Sequence, residues 1–161
     1  ARKKPILPAD GHVPIYRLVL TGGPCGGKST VTSALQRYLS GLGWRVFTVP
    51  EVPTMMFTHG AKYAGVSTSE LIALEIGVLE VQMRLEDTFY DIAKASGQPS
   101  IIIMDRGTMD VAAYLSDALW NAILNDQQWT TMDLRDRRYD AVVHMVTAAL
   151  GAEKFYTKSN N

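Results

Sequence analysis

"LTGGPCGGKST" (residues 20–30) places glycines at 22, 23, 26 and 27, then a lysine and two hydroxyl side chains. Its flanks show what the turn joins. "IYRLVL" (Ile15 to Leu20) is a short apolar run with β-branched residues, which predicts a buried strand. "STVTSALQRYLS" carries apolar groups at Val31, Ala34, Leu35, Tyr38 and Leu39, the spacing of one helix face, and Gly41 and Gly43 then close the helix. Read as G-x-x-x-x-G-K-[ST], the match falls on Gly22, Gly27, Lys28 and Ser29, which makes the turn a phosphate-binding loop.

The chemistry explains the composition. Backbone N–H groups must converge on phosphate oxygens, and side chains there would block the approach. The following helix turns its unpaired N–H groups and positive dipole end to the same point. The candidate cradle is therefore Gly22, Gly23, Pro24, Cys25, Gly26, Gly27, Lys28, Ser29 and Thr30. Lys28 supplies a point charge at the outer phosphates and is expected at the rim, outside the core. The Ser29 hydroxyl is a candidate Mg²⁺ ligand. Cys25, the only cysteine, sits before a helix N-terminus and near Lys28; both features favour the thiolate, so a reactive thiol is expected there.

The bulk properties narrow the class. The chain has 161 residues, enough for one domain with a full core; 47% are hydrophobic and 20% charged. Sixteen basic residues balance sixteen acidic ones, so no nucleic-acid partner is expected. No apolar stretch reads as a membrane span or a signal peptide. A single cysteine points to a reducing, cytoplasmic setting. The chain opens on Ala1 rather than methionine, as an excerpt of a longer protein would. Residues 1–14, "ARKKPILPADGHVP", read as a flexible basic, proline-rich tail, and residues 15–161 as the nucleotide-binding domain.

Strand and helix patterns then alternate. "WRVFTVPE" (Trp44 to Glu51) predicts a second strand stopped by Pro50 and Pro53. Residues 52–66 read as a long connection rich in Met, Phe and Tyr, of the kind that borders a pocket or covers core edges. Ser67 with Glu70 has capping-box spacing and predicts a helix from about Thr68 to Ala95, ended by Gly97. Two apolar stripes on it predict packing on two sides, leaving Glu75, Gln82 and Glu86 as its polar line. "SIIIMD" (Ser100 to Asp105) reads as a central parallel strand. A helix from about Thr108 to Leu124, a short one near 131–138, and a fourth strand in "YDAVVHMVTA" complete the pattern. The fold class expected is α/β: a three-layer P-loop NTPase, kinase-like, with a parallel sheet flanked by helices. Ligands in such a fold bind at the carboxyl ends of the strands, where the loop at 22–29 lies.

Two further strand ends carry candidate chemistry. Asp105 closes the third strand, where an acid beside a phosphate loop can orient Mg²⁺. Arg106 beside it can reach phosphate or substrate, or be a surface arginine. Glu51 closes the second strand, where a carboxylate can take a proton from a substrate hydroxyl or hold a neighbouring loop by an ion pair. No zinc site is expected, because the chain lacks C-x-x-C and H-x-x-x-H. His144, within the fourth strand, reads as a packed core histidine.

"LTGGPCGGKST", "VFTVPE", "IIIMDRGTMDVAAY" and "RRYDAVVHMVTAALGAEKFY" together resemble the AAA-type P-loop NTPases of the TRPL translocation defect protein family. More distantly they resemble the nucleoside-kinase-like domains of bacterial nicotinamide riboside kinases. The resemblance covers about residues 15–157. It implies a kinase-type P-loop fold binding a purine nucleoside triphosphate, ATP or GTP, with Mg²⁺. It also implies roles: Glu51 at the base position, Asp105 and Arg106 as the acid–arginine pair, Gln82 as a polar residue of the substrate helix. Such folds usually continue into a fifth strand, a base-binding loop and an arginine-bearing lid. Here the chain ends at Asn161 with only Lys154 and Lys158 as basic residues in the lid region. Either the C-terminal part is missing or the lid and base contacts are absent. "TKSN" (Thr157 to Asn160) lacks the final acid of the guanine-reading T-K-x-D, so base choice stays open.

Two functional readings follow. One is phosphoryl transfer to a small nucleoside-like substrate under residues 52–66, or slow triphosphate hydrolysis. The other is a nucleotide-gated regulatory module in membrane protein trafficking, with a protein or membrane-surface partner. A domain keeping the loop without using it fits poorly with intact Lys28, Ser29 and Asp105.

Overall fold

The computed structural model describes residues 12–24 and 26–146. The tail before His12, Cys25, the expected continuation of the fourth strand to Ala148, and the Lys154, Lys158 and "TKSN" features lie outside the described residues. In order, the elements are β1 (Ile15–Thr21), α1 (Lys28–Gly41), β2 (Arg45–Val49), α2 (Val52–Thr58), α3 (Thr68–Ser96) and β3 (Ser100–Asp105). Then come a 3-10 segment (Thr108–Tyr114), α4 (Asp117–Gln127), a π-helical turn (Met132–Asp136) and β4 (Ala141–His144).

The strands form a four-stranded sheet in the order β2-β3-β1-β4, and every pairing is parallel. β1 and β3 are central and need both faces covered, so they read as near-continuous apolar runs. Val19, Val49, Ile102 and Met104 form one face and pack against Leu85, Phe89 and Tyr139, which puts α3 over it. Ile103, on the alternate face, is also fully buried, and α1 contacts β1, β2 and β3. The result is an α/β P-loop NTPase fold. A second cluster joins Val52, Val78, Leu79, Val111, Trp120, Ile123 and Leu134, tying the helical segments after β2 and β3 into one body beside the sheet.

Register positions the site. Leu20 pairs with Asp105 and Val49 with Met104, so the three strand ends stop at nearly one level. The glycine loop, Glu51 and Asp105–Arg106 all leave the sheet from that rim.

Four local expectations change. The connection at 52–66 contains α2, with Pro53 in its first turn, where a missing N–H costs no helix bond. The helix expected over 108–124 is interrupted: Leu115 is extended, and Ser116 starts α4 by accepting a hydrogen bond from the Leu119 N–H. The polar line of α3 is buried rather than left over; Glu75, Gln82 and Glu86 are 1%, 4% and 0% exposed. His144 is exposed, because β4 is the edge strand among the described residues and all four of its residues are exposed.

Candidate active site

The loop between β1 and α1 is shaped by glycine geometry. Gly22 has φ +133°, and a Cβ there would stand 2.1 Å from the Met145 carbonyl oxygen. Gly27, also left-handed at φ +79°, caps α1. Gly22 therefore tolerates no side chain, and Gly27 favours none. Gly23, Pro24, Gly26 and Gly27 line the same turn, and Ser29 and Thr30 stand exposed on the first turn of α1. Lys28 departs from expectation: it is only 9% exposed, and its Nζ donates to the carbonyls of Gly22 and Gly23, each at 2.9 Å. The ammonium is folded back onto the loop it is expected to serve.

The rim opposite is a coupled set of charges. Arg106 has φ +71°, a left-handed conformation that costs a non-glycine residue about 1–3 kcal/mol and persists where surroundings impose it. Its N–H donates to the Leu20 carbonyl at 3.0 Å, and its carbonyl accepts from the Gln82 amide at 3.3 Å. So held, the guanidinium pairs with Glu51 and lies 3.6 Å from the Asp110 carboxylate. Its side chain is 14% exposed, so the surface-arginine reading fails. Burial pushes the Glu51 carboxyl up, but hydrogen bonds from Thr54 and Arg106 and the charges of Arg106 and Lys28 outweigh it and hold Glu51 below its ordinary range.

Asp105 is opposite in character. Burial and the negative charge of Glu51 push its carboxyl up, against the pull of Lys28 and Arg106. Its Oδ1 is buried with no hydrogen-bond partner. An uncompensated buried carboxylate oxygen beside a phosphate loop fits a hard cation. Asp105 with the Ser29 hydroxyl is an all-oxygen donor set of the kind Mg²⁺ uses alongside phosphates and water. Among the described residues no three His, Cys, Asp or Glu cluster as a metal cage. Asp105→Asn is expected to cost at least about tenfold in Mg²⁺-dependent triphosphate affinity and little without the metal. Titrations with and without EDTA check this; equal losses would make Asp105 structural.

Next to this rim opens a cavity of about 440 Å³ between α2, α3 and the 3-10 segment. Glu51, Gln82 and Arg106 line it, so three sequence candidates share one chamber with the segment expected to border a pocket. Phe57 and Tyr63 meet edge to face at 5.1 Å, and Tyr114 lines the chamber too. Sequence reading did not single out Asp110 or Tyr63. Asp110 accepts from the Thr21 hydroxyl and, at 2.8 Å, from the Gly107 N–H. Its legible signal was the four-residue spacing from Arg106. Glu75, noted only as polar, lies seven residues before Gln82 and so on the same helix face.

Behind the chamber stands a buried frame. Glu86 accepts from Gln82 Nε2 at 2.8 Å, Arg138 Nε at 2.8 Å and the Tyr139 hydroxyl at 2.9 Å. Tyr139 in turn accepts from the Thr108 N–H at 2.8 Å. A Cβ on Gly107 would lie 3.1 Å from the Tyr139 hydroxyl oxygen and 3.2 Å from Val19 Cγ1, so either neighbour would have to give by a few tenths of an ångström. The turn 106–108 is thus held at both ends by groups bound to Glu86.

A known structure shares this architecture. Thymidylate kinase from Ehrlichia chaffeensis superposes with a TM-score of 0.52 at 20% identity, covering 88% of this chain and 76% of that one. A looser likeness, TM-score 0.37 at 16% identity, covers 81% of this chain and 87% of the APS kinase of Mycobacterium tuberculosis. No curated protein matches the sequence. A family model described as an AAA domain matches residues 17–159, nearly the whole chain, and the protein belongs to that family.

Proposed function

We propose that this chain transfers the terminal phosphate of a purine nucleoside triphosphate, ATP or GTP, to a hydroxyl of a small nucleoside-like acceptor. The observation that carries the reading is the chamber of about 440 Å³ opening beside the phosphate loop, with Glu51 and Arg106 in its wall. A nucleotide-gated module needs the loop but not the chamber. The kinase fold shared with thymidylate kinase points the same way.

The roles follow from position. The loop N–H groups of residues 22–30 other than Pro24, with the α1 dipole, hold the phosphates. Lys28 exchanges its two carbonyl partners for phosphate oxygens, at no new desolvation cost because it is already buried. Asp105 and Ser29 would hold Mg²⁺, which when bound neutralises charge on the outer phosphates. Arg106, already close to that rim, can move from Glu51 to the transferring phosphoryl group. Glu51 released from Arg106 becomes more basic and can take the acceptor hydroxyl's proton.

The test is to incubate the purified chain with ATP or GTP, Mg²⁺ and a panel of nucleosides, and to identify phosphorylated products by mass spectrometry. Glu51→Gln is expected to lower turnover by about a hundredfold or more with triphosphate affinity nearly unchanged. Wild-type turnover in that variant removes Glu51 from the mechanism; triphosphate hydrolysis with no phosphorylated product in any mixture removes the acceptor.

A further inference from the structure

The charge lining the chamber is unbalanced. Glu51, Glu75 and Asp110 are acids, and Arg106 is the basic residue of the wall. Arg106 is engaged by Glu51 and Asp110. Among the described residues Glu75 has no cation in that wall to itself. It is 1% exposed, and the donor it has is the Tyr63 hydroxyl. Tyr63 comes from the segment between α2 and α3 and is 42% exposed, so a half-exposed phenol reaches inward to a buried acid. Around this pair the wall is apolar and flat-sided, with Phe57, Tyr114, Val78 and Val111. Burial pushes the Glu75 carboxyl up, only partly offset by Tyr63, so a second donor would stabilise its charged form further.

We propose that Glu75 is the specificity-determining acid of this chamber, accepting a hydrogen bond from the amino group of a flat heteroaromatic acceptor, a role the Tyr63 hydroxyl fills in the structure as it stands. This rests on the acceptor reading above and names the class of head group. An oxo group in place of the amine would set lone pairs against the carboxylate, and a buried acid facing an acceptor discriminates by repulsion as well as by a lost bond. A phosphorylated head is disfavoured for the same reason. The aromatic walls suit a planar ring and leave the ribose hydroxyls toward Glu51 and the phosphate loop.

The experiment uses the full chain saturated with a non-hydrolysable ATP analogue and Mg²⁺, so that added nucleosides meet only the chamber. Binding of adenosine against inosine, and of cytidine against uridine, is measured by calorimetry; within each pair the amine becomes an oxo group and the neighbouring ring nitrogen gains a hydrogen. In at least one pair the amino member is expected to bind about tenfold tighter or more. Glu75→Gln is expected to bring that pair to within about threefold, because the amide can serve either partner. Equal binding within both pairs in the wild type, or an undiminished preference in Glu75→Gln, overturns the proposal while leaving the acceptor reading in place. Binding of none of the four, with the ATP analogue bound normally, overturns both. If Glu75→Gln does not fold, Tyr63→Phe decides. Removing the internal competitor should tighten the amino member severalfold, and an unchanged ratio overturns the assignment.

Discussion

Glu86→Ala is expected to lower stability by about 3–5 kcal/mol, the usual cost of removing one member of a buried charged pair. For a chain of this size that is a fall of roughly 6–20 °C in melting temperature. The magnitude follows from what is left behind. Glu86 is fully buried and accepts from Gln82, Arg138 and Tyr139. Arg138 keeps Asp87 at 2.9 Å and the Met83 carbonyl at 3.2 Å, but its Nε loses its acceptor inside the protein. One Gln82 amide hydrogen also loses its acceptor, the Tyr139 hydroxyl keeps only Thr108 Oγ1 as an acceptor, at 3.0 Å, and each unsatisfied group adds its own desolvation cost. Function should suffer separately from stability. With Gln82 and Tyr139 released, the turn that keeps Arg106 left-handed is left to the bonds from the Arg106 N–H to Leu20, the Gly107 N–H to Asp110 and the Thr108 hydroxyl to Leu134. Well below the melting temperature, phosphoryl transfer should therefore fall more than triphosphate affinity. Thermal unfolding followed by circular dichroism, with binding measured on the same sample, checks both. A melting temperature within about 2 °C of the wild type would show that the frame carries little of the fold.

Lys28→Ala is expected to weaken Mg²⁺-triphosphate binding by roughly tenfold to a hundredfold or more, the worth of charge-assisted hydrogen bonds to phosphate. It should also lower the melting temperature by a few degrees. The second effect comes from structure alone. The amine lies 9% exposed against two carbonyls, and alanine leaves those carbonyls without their donor. A lysine standing free at the rim would give the first effect without the second. Unchanged affinity by calorimetry would mean that the phosphates do not lie over this loop. An unchanged melting temperature would mean that water replaces the amine without loss.

Both predictions turn on side chains that the sequence names but does not pair. The strand, the glycine turn and the following helix were legible in residues 15–41, because each rests on local chemistry: β-branched apolar residues, positions hostile to Cβ, and a 3.6-residue stripe. β3 as a central strand and the ends of α3 were legible for the same reason, since Ser67 accepts from the Glu70 N–H and Gly97 turns left-handed at φ 61°. The break at Leu115 was not, because three-residue capping by Ser116 looks like any serine inside a helical pattern until the backbone is seen.

What the sequence by itself determined is the order of elements and the rim they share: a phosphate loop after β1, Glu51 after β2 and Asp105–Arg106 after β3, all at the carboxyl ends of parallel strands. What only the tertiary structure decided is which charges meet. Periodicity reports that Glu75, Gln82 and Glu86 lie on one helix face, but not whether that face meets water or a chamber. Three polar residues aligned between two apolar stripes of a helix read as the solvent side. They are buried because Tyr63, Arg106, Arg138 and Tyr139 arrive from residues 12 to 53 positions away with the partners that make burial affordable. His144 shows the converse. An apolar strand pattern implied cover on both faces, yet among the described residues β4 is the edge, and neighbours rather than composition decide exposure.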